Sequence, residues 1–276
     1  MNAPFPSIVA SVIILAATAC AGEPTDPART DAESAAAVAD GSAEAAQVGG
    51  WYADTAVLAA GVAPPVGEAR ALVTAATVET IGAAVSPPAC ATVTTDSATY
   101  VQATFTGCTG PGGRAALSGT VRGELGFDTT PCGPAQCPTA VRWTITADLA
   151  YGDGGALDGA MTVVAPVAAD APRTLDATLQ LTSRRGDAVA ATADATWTVD
   201  DAGCATLSGS AAVTGPASGA VTIDGLVACP AVCPTAGTVA MTAGGRTLSF
   251  TYDGGDSVVV ASGGGQSFEL PLPCGR

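Results

Sequence analysis

Beyond Cys90 the chain alternates apolar and polar positions with a period of two. Trp143, Ile145, Ala147, Leu149 and Tyr151 interleave with Arg142, Thr144, Thr146, Asp148 and Ala150. Leu117, Gly119, Val121, Gly123, Leu125 and Phe127 do the same against Ser118, Thr120, Arg122 and Glu124. The pattern returns in Leu175–Leu181, at Val221 and Ile223, and through Leu248, Phe250 and Tyr252, with Gly, Pro and Asp between the runs. Such alternation predicts antiparallel strands with one buried and one wet face. About twelve strands are too many for one flat sheet, so a curved sheet is expected, either a partial barrel or a sandwich.

Upstream the period changes. Ala69, Val73, Ala76, Thr80 and Ala84 recur at spacings of three and four, which predicts a helix over Val66–Val85, stopped by Pro87-Pro88. A shorter helix is expected within Trp51–Gly61, and the segment 51–88 as a whole is expected to pack on the strands. From position 20 to 50 the residues are Ala, Glu, Asp, Gly and Ser with almost nothing large, so this stretch predicts a disordered acidic tether.

Ile8–Ala19 is an apolar run of signal-peptide length, too short to span a bilayer. Ala17-Thr18-Ala19-Cys20 resembles the lipobox of bacterial lipoproteins. The resemblance implies cleavage after residue 19, a lipid on Cys20, and a membrane partner through that lipid. Ala21, by the same likeness to Gram-negative lipoproteins, implies the outer membrane. Cysteine parity agrees, because nine cysteines less Cys20 leave an even number, as an oxidising compartment favours.

The cysteines repeat. Cys108, Cys132 and Cys137-Pro138-Thr139 are matched by Cys204, Cys229 and Cys233-Pro234-Thr235, with equal separation between first and third members. Two duplicated β units, 89–185 and 186–276, are the expected account, because a period near 95 residues is domain-scale. Hairpin geometry pairs Cys90 with Cys108 around a turn near Asp96-Ser97, and Pro-containing turns pair Cys132 with Cys137 and Cys229 with Cys233. Cys204 is then left with Cys274.

The segment from Cys90 to Leu125 also resembles a group of β-rich bacterial surface lipoproteins to which no activity is attached. The likeness rests on Cys108-Thr109-Gly110-Pro111, the Gly-rich turn Gly112-Gly113-Arg114, and Ser118-Gly119-Thr120. It implies export and a β-rich fold, and brings no functional residues with it.

Composition narrows the chemistry further. The chain carries −15 at pH 7 with no histidine, and all ten cations are arginine. His-based triads, His metal sites, P-loop lysines and Schiff bases are excluded, and the charge argues against a nucleic-acid partner. Zinc on the cysteines is disfavoured by their spacing and by export. The acidic turns Asp153/Asp158, Asp200/Asp201 and Asp253/Asp256 lack the alternating ligands of a calcium loop. No cofactor and no catalytic residue is expected. The leading expectation is a lipid-anchored, disulfide-stapled envelope protein of structural or interaction type, with protein, glycan and lipid all open as partners. Two alternatives are a carrier with an apolar cavity lined by Trp143, Ile145, Leu179, Leu181 and Trp197, and a hydrolase using paired carboxylates beside an exposed aromatic.

Overall fold

A computed structural model describes Val48, Tyr52 and residues 64–271, apart from 97–98, 110–115, 153, 169–170, 183–187, 201–203, 216–217, 230–233, 244, 256 and 266. The expected signal peptide and Cys20, nearly all of the tether, and Cys233 and Cys274 lie outside the described residues.

The helix α1 spans Val66–Ala83 and buries Ala69, Val73, Thr74, Thr77 and Ile81, a stripe at three- and four-residue spacing. A 3-10 turn at Pro88–Cys90 leads into the strands. These are β1 (Ala91–Thr95), β2 (Tyr100–Cys108), β3 (Leu117–Cys132), β4 (Ala135–Ala150), β5 (Ala156–Pro166), β6 (Arg173–Thr182) and β7 (Ala188–Val199). β8 (Ala205–Thr214), β9 (Gly219–Ala228), β10 (Ala236–Ala243), β11 (Arg246–Thr251), β12 (Ser257–Ser262) and β13 (Ser267–Pro271) follow.

Each strand pairs antiparallel with the next, so all thirteen form one meander in chain order. The expectation of a mainly β, curved antiparallel sheet holds: the sheet is curved and unclosed. Its sandwich form does not, because consecutive strands stay paired from β1 to β13 and nothing divides the sheet in two. The boundary expected near 185/186 falls in the β6–β7 connection, and the ladder runs across it from Arg173↔Trp197 to Thr182↔Ala188.

Curvature follows from small residues and interrupted register. At Gly119 (φ +120°) a Cβ would stand 2.1 Å from the Asp148 carbonyl oxygen, and at Gly159 (φ +144°) 2.5 Å from that of Thr178. Only glycine permits such close strand approach inside a ladder. Register shifts at Phe105/Cys108, Asp128/Thr129, Leu207/Gly209 and Ala236/Thr238 add local twist.

The alternation places Val141, Trp143, Ile145, Ala147 and Leu149 of β4 on the buried face and Arg142, Thr144, Thr146, Asp148 and Ala150 in water. One continuous core joins this face to α1 and to the inward residues of β5–β12. α1 packs on β1, β2 and β4. No described helix is long and apolar enough to cross a membrane. A membrane-spanning barrel would need its outward strand positions apolar, the reverse of β4.

Candidate functional site

The cysteines are the residues whose placement the fold decides most clearly. β1 and β2 pair as Ala91↔Phe105, which brings Cys90 and Cys108 together as a disulfide with 5.3 Å between Cα atoms. The turn that joins these strands is held by Asp96, whose Oδ1 accepts the backbone N–H groups of Thr99 (2.7 Å) and Tyr100 (3.1 Å). At the tip of the long β3–β4 hairpin, Cys132↔Ala135 pairing places Cys132 and Cys137 in a second disulfide.

The third bridge corrects the sequence reading. Cys204 bonds to Cys229, with 4.0 Å between Cα atoms, and therefore neither to Cys274 nor leaving Cys229 for Cys233. The cause is register. Ala205 faces Ala228 across β8 and β9, so the residues just outside that pair are forced opposite each other. Asp200 locks the approach: its Oδ1 accepts the Cys204 N–H at 2.9 Å, and its own N–H donates to the Cys204 carbonyl at 2.9 Å.

The acidic turns behave as turns. Besides Asp200, Asp253 turns back on Gly255 N–H through Oδ1 at 3.0 Å, the local bond that makes Asp a turn residue. Asp153, Asp201 and Asp256 lie outside the described residues. Asp158 sits instead on the exposed face, directly opposite Asp148, and Asp176 stands opposite Asp194 in the same way. Sequence reasoning missed both carboxylate pairs, because each exists only once two strands are set in register. Opposed residues of a ladder have Cβ atoms about 4.5–5.5 Å apart. Their strand neighbours are Thr120 and Gln180 for the first pair, and Thr162 and Ser210 for the second. A sugar-binding ring is missing from these neighbours. The outward aromatic Tyr100 lies elsewhere, under the Arg122 guanidinium (4.1 Å to the ring centre), and Arg122 also meets Glu124 at 3.5 Å. Among the described residues no three His, Cys, Asp or Glu side chains gather as a metal site.

The five side chains expected to line a carrier cavity all point inward. Trp143 and Ile145 are 0% exposed and Leu179 1%, with Leu181 and Trp197 also buried in the same cluster. A solvent-sized opening against them would register as exposure, so these side chains pack on their neighbours.

Comparison with protein-family models, with curated proteins and with solved structures returns no match. Function must be argued from the chain itself.

Proposed function

We propose that this is a lipid-anchored, disulfide-stapled β protein of the bacterial cell envelope, fastened to the outer membrane through Cys20 and acting as a structural or interaction module, without catalysis. The observation that carries the reading is the set of three intrachain disulfides among the described residues, on hairpin rims of the sheet. Such bridges persist in oxidising compartments, and they are compatible with an exported protein. The apolar run Ile8–Ala19 ending at Cys20 supplies the export address and the anchor. An exposed face of Thr, Ser, Ala and paired Asp, with Asp96, Asp200 and Asp253 taken up by backbone N–H groups, supports contact with other molecules through a wet polar surface. The packed side chains around Trp143 give the carrier alternative no support, and the ring-free surroundings of the Asp pairs give the hydrolase none.

The test is fractionation of the full chain and of Cys20→Ser in a Gram-negative host. The full chain should pellet with membranes, and Cys20→Ser should appear in the soluble fraction, since acyl chains supply the membrane affinity. A Cys20→Ser protein that still pellets with membranes contradicts the anchor.

A further inference from the structure

The three described disulfides differ in what surrounds them. Cys108 is 0% exposed and belongs to the core. Attack on its half-buried partner Cys90 would expel the Cys108 sulfur as a thiolate among apolar side chains, where a charge is costly. Cys204 and Cys229 stand where the sheet continues on both sides. Next to them, Ala205 pairs with Val199 as well as Ala228, and Val227 pairs with Ala236. The Asp200 carboxylate, which accepts the Cys204 N–H at 2.9 Å, repels an approaching thiolate.

Cys132–Cys137 has none of this protection. β3 keeps β2 beside it only as far as Tyr100↔Glu124, and β4 keeps β5 only to Ala140↔Pro166. Beyond those pairs, residues 129–139 form a two-stranded ribbon that no third described strand joins. Thr130, Pro131, Gly133, Pro134 and Gln136 around the bridge are exposed. No residue from Thr129 to Val141 is charged, and Asp128 before them is paired with Arg142 at 3.0 Å, so a thiolate meets no bare carboxylate on its way. With a sequence separation of 5, the bridge also gains the least resistance to reduction from the loop it closes.

We propose that Cys132–Cys137 is a thiol-exchange site, the bridge of the described three that a dithiol opens while the sheet stays folded, and that opening it turns the 129–139 arm from an ordered ribbon into a frayed loop. One thiolate of the dithiol attacks Sγ of either cysteine. The S–S bond breaks, the other protein sulfur leaves as a thiolate and takes up a proton, and a mixed disulfide forms. The second thiol of the dithiol loses its proton and attacks its own partner sulfur in that mixed disulfide, which closes the reagent's disulfide and releases the second cysteine. The protein pair gains two electrons and the dithiol loses two. With the bridge open, only cross-strand pairing orders the arm, and a lone two-stranded hairpin is marginal in water.

Two measurements on the full chain test this. In millimolar dithiothreitol without denaturant, with N-ethylmaleimide quenching and peptide mapping, Cys132 and Cys137 should be labelled at least tenfold faster than Cys90, Cys108, Cys204 and Cys229, with β-sheet circular dichroism unchanged. Labelling of either other pair at the same rate or faster, or labelling of the tip only as the sheet signal falls, would overturn the site. In Cys132→Ser/Cys137→Ser, where the bridge is permanently open, elastase should cut after Ala135 at least tenfold faster than in the parent. Equal cutting rates would overturn the change from ribbon to loop.

Discussion

The two cysteine sets share one first-to-third spacing in the chain, Cys108 to Cys137 and Cys204 to Cys233, and have opposite uses in the fold. β2 and β8 are both even-numbered strands of one antiparallel meander, so they run in the same direction. Cys108 closes β2 whereas Cys204 precedes β8, which puts the two on opposite rims of the sheet. Cys108 therefore reaches back to Cys90, and Cys204 reaches forward to Cys229. In the first set, Cys108 pairs with Leu117 at the start of β3, and the sixteen residues of that strand carry Cys132 to the opposite rim. In the second, β8 and β9 have ten residues each, and the β8–β9 hairpin returns Cys229 to the rim it left. Equivalent positions in a repeat are not equivalent positions in a ladder. Strand length and direction decide which sulfurs can meet.

Removing the bridges one pair at a time should rank them by the chain they enclose. Cys204→Ser/Cys229→Ser opens a separation of 25 residues and should cost about 3–4 kcal/mol in urea unfolding. Cys90→Ser/Cys108→Ser, at 18 residues, should cost about 3 kcal/mol. Cys132→Ser/Cys137→Ser, at 5 residues and on a hairpin tip that projects past β2 and β5, should cost about 2 kcal/mol or less. If the Cys132–Cys137 pair proved the most costly to lose, the hairpin tip would be part of the folding core, and the contrast between the two sets would fail.

A weaker effect is set by pH and bears on both halves together. Tyr52 seals the first half and Tyr252 the second, and burial raises both hydroxyls, that of Tyr252 to about 12 from an unfolded value near 10. A raised folded pKa means that the native state holds its protons longer than the unfolded one. The stability is therefore complete below pH 10 and is lost as pH rises from 10 toward 12. Tyrosinate absorbance and loss of β-sheet circular dichroism should rise together across that window. Ionisation of Tyr52 and Tyr252 near pH 10 with the sheet intact would mean that neither ring is sealed.

The strands were legible because each has one wet face: the Arg142–Ala150 alternation states its burial directly, and the Val66–Ala83 stripe does so at helical spacing. Cys90 with Cys108, and Cys132 with Cys137, were legible because each pair spans a single hairpin. What was not legible depends on a partner strand. The Asp148/Asp158 and Asp176/Asp194 pairs appear only when β4 meets β5 and β6 meets β7. The Cys204–Cys229 bridge needs the register of β8 on β9, which a bulge at Leu207/Gly209 resets. Tyr52 was hidden differently: its segment reads as an ordinary short helix, and the one sign of its seat is a glycine at an inward position of β3, Gly123.

The claim that register, not repeat position, fixes the cysteine pairs meets its most direct test in a non-reducing digest that cuts before aspartate. Cleavage before Asp201, Asp224, Asp253 and Asp256 separates Cys204 on 201–223 from Cys229 on 224–252 and from Cys274 on 256–276. Peptide 201–223 should be found joined to 224–252 by the Cys204–Cys229 bond. Recovery of 224–252 unlinked, with 201–223 joined directly to 256–276, would restore the pairing expected from the repeat and contradict the β8–β9 register.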